Sequence, residues 1–375
     1  MAKSKNKKNL VGNIVLLLVS IVMFLILLEM FVRIFDIAPQ YGPLKMYEKD
    51  NLLDFKLLPN YRGRFVKQEF EIEIHTNSLG LRDEEYHGKR PNGFNVLALG
   101  DSFTWGAYGT ELNETFVKIL EKRLDEDSNR NYQVINAGVP GYGTDQQLDY
   151  LKSYGSQFKP DVVLLNFFVG NDFFDNAQKN EFTAKDNYLV ANKAQQNSLE
   201  KLRIFLISHF HSYRIMEKGA IIFFDNFIQE NVRGKLQYDE REAGLFIKPT
   251  IKEIQEQFDM TKQILDEMNS YLKSRNIKLV VVILPLDYQV DENKKQSFIQ
   301  NNLEGRDFDL GQPQKIILEW ARQNDVNVID LMPELEELEK DGELYWKLNG
   351  HFNERGNEEV GRIVYEYLVE NNSIK

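Results

Sequence analysis

The sequence predicts an α/β protein whose parallel sheet is covered by helices on both faces, preceded by a helix that crosses a membrane. Three observations carry this. An uncharged run of 20 residues, Asn9 to Leu28, has the length that spans about 30 Å of hydrocarbon as a helix. From Phe94 onward, short apolar runs alternate with segments of helical period. Those short runs are apolar at consecutive positions, the pattern of strands buried on both faces.

The N-terminal run reads as an uncleaved signal anchor. It is longer than the apolar region of a signal peptide, and no small-x-small cleavage pattern follows it. The lysines at 3, 5, 7 and 8 keep the N-terminus cytoplasmic by the positive-inside rule. Residues 1–36 are therefore expected to form a basic tail and single-pass anchor, with Glu29 and Arg33 paired four apart where the helix leaves the bilayer. The rest of the chain then lies outside the cytoplasm. Net charge is −11, and removing the four lysines of the first eight residues leaves −15 (−11 less 4) on the remainder. That sign, with no Lys/Arg run interleaved with aromatics, excludes a nucleic-acid partner. The absence of cysteine excludes disulfides, thiolate metal sites and cysteine nucleophiles. His209 and His211 stand two apart without an obvious third ligand, so neither a metal nor another cofactor is expected.

Residues 37–93 read as a linker and β-rich lead-in. Pro39, Gly42, Pro43, Pro59 and Gly63 suggest irregular chain over 37–62. "EFEIEIHT" then alternates, with Phe70, Ile72 and Ile74 on one face, as one arm of a hairpin begun near Phe65. "TNSLGLRDEE" is a turn-rich connection. In residues 94–375, strands are read at "FNVLALG", "YQVINAG", "DVVLLNFFVG", "KLVVVILP" and "VNVIDL". Helices are expected near 114–124, 146–154, 251–275, 314–323 and 358–371. Residues 173–248 break this rhythm. Arg214, Glu217 and Lys218 argue against a second membrane span, and the segment reads as a helical cap inserted over the carboxyl edge of the sheet.

In such sheets ligands bind at the carboxyl ends of the strands. The first strand ends in Gly100-Asp101-Ser102, the second in "NAGVPGYGT", and the third in Gly170-Asn171-Asp172. "LNGHFNERG" places His351 just before the last helix. Acyl transfer through serine needs a nucleophile, a base and oxyanion donors. Ser102 is the nucleophile candidate and His351 the base candidate, while a glycine N–H and an asparagine side chain supply the donors. Each group has an ordinary structural reading as well. A serine after a strand commonly caps a helix, the glycines and Asn171-Asp172 suit turns, and Asp101 is read as bracing the turn. The joint occurrence in this order favours chemistry.

These blocks resemble the SGNH, or GDSL-type, hydrolases. The match is to "GDSFTWG", "NAGVPGYGT", "GND" and "GHFNERG", within about residues 94–175 and 278–370. The resemblance implies a flavodoxin-like three-layer α/β/α sandwich with a parallel five-stranded sheet. It implies Ser102 as nucleophile and His351 as base, with an oxyanion hole from Ser102, Gly138 and Asn171. The anchor and "TNSLGLRD" resemble a membrane-tethered bacterial branch. One departure stands out: the family's aspartate shortly before the histidine is replaced here, where Leu348 and Asn349 stand. Asn349 can accept from the imidazole but brings no charge. Three readings remain open: a Ser–His dyad helped by a carbonyl, an acid such as Asp341 or Glu343 reaching the ring, or lost activity.

The expected function is that of a membrane-tethered serine esterase, removing short acyl groups such as acetyl from a glycan or lipid-linked sugar. An O-acyltransferase using the same site, with a membrane-protein partner delivering its donor, is the first alternative. A non-catalytic glycan-binding or assembly protein is the second.

Overall fold

The computed structural model describes residues 2–35, 45–67, 69–106, 108–126, 131–176, 182–191, 198–217, 219 and 240–374. The chain divides into two compact units. One comprises residues 1–43 with 193–233, the other residues 44–192 with 234–375.

In the first unit a helix runs over Ala2–Ile34. Its stretch Gly12–Ile34 is long and apolar enough to cross a membrane, as an anchor or as a signal sequence. Near its end Arg33 Nε lies 2.6 Å from Glu29 Oε1. Glu29 also accepts from the backbone N–H groups of His211 (3.0 Å) and Ser212 (2.9 Å) and from the Ser212 hydroxyl (2.7 Å). Arg33 donates to the His209 carbonyl. The inserted helix Ser198–His209 and helical residues 211–217 are thus tied to the last turns of the long helix. The His209 ring stacks on Phe205. Among the described residues no group of three or more metal-ligating side chains assembles.

The second unit is built on a five-stranded parallel sheet. Its strands are β5 (Phe94–Gly100), β6 (Tyr132–Gly138), β7 (Val162–Phe168), β10 (Lys278–Leu284) and β11 (Asn327–Asp330), in the order β11-β10-β7-β5-β6. This is the flavodoxin-like winding, whose switch point falls between the first and third strands, here β5 and β7. Residues 96–99 and 162–167 are buried almost completely, as runs apolar on both faces require. Each such Val or Leu contributes roughly 1.5–3 kcal/mol by leaving water.

Alternate strand residues feed two cores. Leu97, Leu99, Val163 and Leu165 face Leu148, Leu151, Leu265, Met268 and Ile317 of the helices Thr144–Ser153, Lys252–Lys273 and Gln312–Asn324. Val96, Ala98, Val280 and Val282 face Val117, Leu120, Val360 and Val364 of the helices Phe116–Glu126 and Glu354–Glu370. The result is a three-layer α/β/α sandwich. Register sets Gly100 opposite Gly138, so β5 and β6 end level.

The lead-in and the insertion hold more strand than their composition suggests. Residues 47–57 form a hairpin, β1 (Tyr47–Asp50) with β2 (Asp54–Leu57), where irregular chain was expected. Its turn is closed by Asp50 Oδ1, which accepts from the N–H groups of Leu52 and Leu53. The expected second hairpin pairs β3 (Arg62–Val66) with β4 (Glu71–His75). A third, β8 (Phe182–Lys185) with β9 (Tyr188–Ala191), lies within the segment expected to be helical. Its two-residue loop, Asp186-Asn187, has φ of 51° and 66°, the left-handed pair that a tight hairpin needs. The last helix begins at Glu354, before the start that apolar spacing suggests. The Asn353 side chain caps it by accepting from Gly356 N at 2.9 Å.

Candidate active site

The turn after β5 resolves what the serine there does locally. Asp101, not Ser102, is the cap of the short helix Ser102–Trp105, and its Oδ1 accepts from Phe103 N at 2.9 Å. Ser102 is the first helical residue, so its hydroxyl is not consumed by capping. Trp105 N and Gly106 N close the turn on the carbonyls of Asp101 and Ser102. A fully buried arginine holds the far side: Arg82 donates to the carbonyls of Trp105 (3.0 Å) and Thr110 (2.7 Å) and lies beside the Trp105 ring. Asn136 Nδ2 takes the Thr104 carbonyl at 2.8 Å, and Asn166 Nδ2 takes that of Leu99 at 3.0 Å. β6 packs so closely here that a Cβ on Gly138 would come within 2.3 Å of Trp105 N.

His351 comes from a loop. Trp346 N donates to the His351 carbonyl at 2.8 Å, and Tyr345 bridges Phe352. Gly350 turns the chain at φ 69°, a conformation that favours glycine. The imidazole Nε2 stands 2.9 Å from Ser102 Oγ. Its Nδ1 lies 3.2 Å from both the carbonyl and the Oδ1 of Asn349. Two acceptors on that side put the proton on Nδ1 and leave Nε2 as the acceptor facing the hydroxyl. The ring is held between two aromatics. Tyr108 stacks on it at 3.7 Å and 2° between planes, and Phe103 at 4.6 Å and 26°. Burial pushes its pKa down to about 4, against the Asn349 hydrogen bond and with help from nearby Lys67. The imidazole is therefore neutral over the physiological range.

No carboxylate among the described residues hydrogen-bonds the ring. Glu343 pairs with Lys347 at 2.8 Å, and Asp341 is exposed at the turn after the helix Met332–Glu339. The acid that hydrogen-bonds the base loop beside Asn349 was not singled out from the sequence. Glu69 Oε2 accepts from Leu348 N at 3.0 Å and lies 3.4 Å from Asn349 Nδ2. Arg82, Phe103 and Tyr108 were missed as well. Phe103 and Tyr108 both follow Ser102, one and six residues on, and an arginine in an otherwise turn-like "GLRD" was the only local signal for the clamp.

The expected oxyanion donors are differently placed. Gly138 N donates to Asn136 Oδ1 at 3.0 Å, so this N–H is already engaged. Among the described residues no hydrogen-bond partner meets the N–H groups of Ser102 and Gly141, and Gly141 is exposed at φ 87° on the loop after β6. Asn171 directly precedes the helix Asp172–Asp175. Its amide faces the Asp101 carboxyl, and its Oδ1 is buried without a partner. Asp101 and Asp172 are both fully buried, and burial raises the pKa of each. Asp172 accepts from Phe168 N (2.7 Å) and Gln147 Nε2 (3.2 Å), which marks it as a brace of the β7 end.

Several solved structures are similar in fold at low identity. A lipase/acylhydrolase from Enterococcus faecalis is 15% identical, with 74% of this chain and 96% of that one covered at a TM-score of 0.42. A catalytic mutant of an acetylxylan esterase from Geobacillus stearothermophilus is 13% identical, covering 75% and 95%, at 0.40. A member of the lipolytic G-D-S-L family from Veillonella parvula is 14% identical, covering 74% and 97%, at 0.38. No curated protein sequence matches the chain. The model of the GDSL-like lipase/acylhydrolase family matches residues 98–359, from the end of β5 through β7 and the His351 loop, and the chain belongs to that family.

Proposed function

We propose that the protein is a serine esterase working through an acyl-enzyme. The observation that carries this reading is the 2.9 Å contact between Ser102 Oγ and His351 Nε2, made by residues 249 apart in sequence. Ser102 attacks the ester carbonyl while His351 takes its proton at Nε2. The tetrahedral oxyanion is stabilised by the Ser102 N–H and the Asn171 amide. Gly138 joins them only by exchanging its bond to Asn136. The imidazolium returns the proton to the leaving alcohol. Water, deprotonated by the same nitrogen, then cleaves the acyl-enzyme and regenerates Ser102. Asn349 holds the Nδ1–H through its two oxygens, the task an aspartate has in a charged triad.

The apolar stretch Gly12–Ile34 supports a tether at the outer membrane face, with the N-terminus cytoplasmic. In that setting the substrate is a short acyl ester, acetyl most simply, on a glycan or lipid-linked sugar. Hydrolysis of p-nitrophenyl acetate by wild type and Ser102→Ala tests the chemistry. The variant should lose about 10⁶-fold in kcat. Equal rates in the two proteins would dismiss the mechanism.

A further inference from the structure

We propose that Glu69 is a positioning residue of the Ser102–His351 pair, acting through Asn349; the inference rests on the esterase reading of that pair. Glu69 sits in the β3–β4 turn, which Lys67 N closes on the Phe70 carbonyl at 2.9 Å. Rings on its two arms fix this turn, one against Tyr108, which stacks on the imidazole, and one against the base loop. Phe65 meets Tyr108 edge-on at 5.4 Å, and Phe70 lies 5.8 Å from Trp346. From there Glu69 Oε2 takes Leu348 N at 3.0 Å and approaches Asn349 Nδ2 at 3.4 Å.

The direction of the Asn349 amide follows from the backbone. Its Oδ1 accepts from His351 N at 2.9 Å, a group that can only donate, so the amide nitrogen is the end turned to Glu69. The same Oδ1 faces His351 Nδ1 at 3.2 Å. A neutral amide thus stands between a carboxylate and the imidazole, with its donor end on the anion and its acceptor end on the ring. The anion polarises the amide and strengthens its oxygen as an acceptor when the imidazolium forms. The charges nearby include Lys67, which disfavours that cation, Lys347, which is paired with Glu343 at 2.8 Å, and Asp287, which lies beside Gly350 and is paired with Lys294 at 2.7 Å. Glu69 supplies from outside the sheet a negative charge that the loop's own acids, Asp341 and Glu343, do not bring to the ring.

The test is a cycle in the full-length protein, in detergent, with p-nitrophenyl acetate: wild type, Glu69→Gln, Asn349→Asp, the double variant, and Ser102→Ala. Glu69→Gln keeps an acceptor for Leu348 N and removes only the charge. It should lower kcat about tenfold with KM unchanged. Asn349→Asp in the wild-type background sets two carboxylates side by side and should not raise kcat. In the Glu69→Gln background the same change moves the charge one residue along and should restore kcat to the wild-type level. A clasp that merely orders the loop would not produce this reversal. Wild-type kcat in Glu69→Gln, or the same Asn349→Asp effect in both backgrounds, overturns the role while Ser102→Ala stays dead. A fully active Ser102→Ala overturns the esterase reading, and this inference with it.

Discussion

The two halves of the candidate site are held by different means. Ser102 stands where a buried strand meets a helical turn, and its supports are the regular parts of the fold: the Asp101 cap, the Arg82 clamp, and asparagines from β6 and β7. His351 stands in a loop, and what fixes it are individual side chains: Tyr108 and Phe103 on its faces, Asn349 of the same loop on its edge, and Glu69 behind Asn349. The nucleophile is thus tied to global stability, whereas the base is tied to local packing. A substitution on one side should behave unlike a substitution on the other.

The largest effect should come from the clamp. Arg82→Met leaves the Trp105 and Thr110 carbonyls buried without donors and should cost about 3 kcal/mol by urea denaturation, with activity falling in step with the folded fraction. Tyr108→Ala should lose some stability with its contacts to Phe65, Phe70 and Trp105, and should also lower the kcat of the folded protein about tenfold, because the ring that faces the forming imidazolium is gone. Tyr108→Phe, which keeps the ring, should retain wild-type kcat. A Tyr108→Ala protein that loses stability rather than turnover would erase the contrast between the halves. The smallest effect is in pH. The base must be neutral to act, and burial holds the His351 pKa near 4. The pH profile of kcat/KM should therefore stay flat between pH 8 and about 5.5 and fall only as pH drops through about 4. A limb near 6.5 would mean a ring as solvated as a free histidine.

The same contrast governs what the sequence made legible. The five core strands and their helices were readable because consecutive apolar runs leave a two-sided buried strand few alternatives. Ser102 and His351 were readable as candidates because both sit at element ends, in short blocks of fixed order. The supports were not, since a clamp such as Arg82 or a stacking ring such as Tyr108 exists only once distant segments meet. Other misses were local and avoidable. Asp101 was the better cap than Ser102, and Asp186-Asn187 was already a hairpin signal inside the segment expected to be helical. The engagement of Gly138 by Asn136 depends on a side chain two residues back curling over the strand end, which no spacing rule reports.

Clasped between Phe103 and Tyr108, the imidazole has no room to turn over and exchange its nitrogens. A proton picked up at one edge must leave by that edge. The departing alcohol and the incoming water therefore queue for the same doorway, each needing the other gone before the next half of the cycle can start.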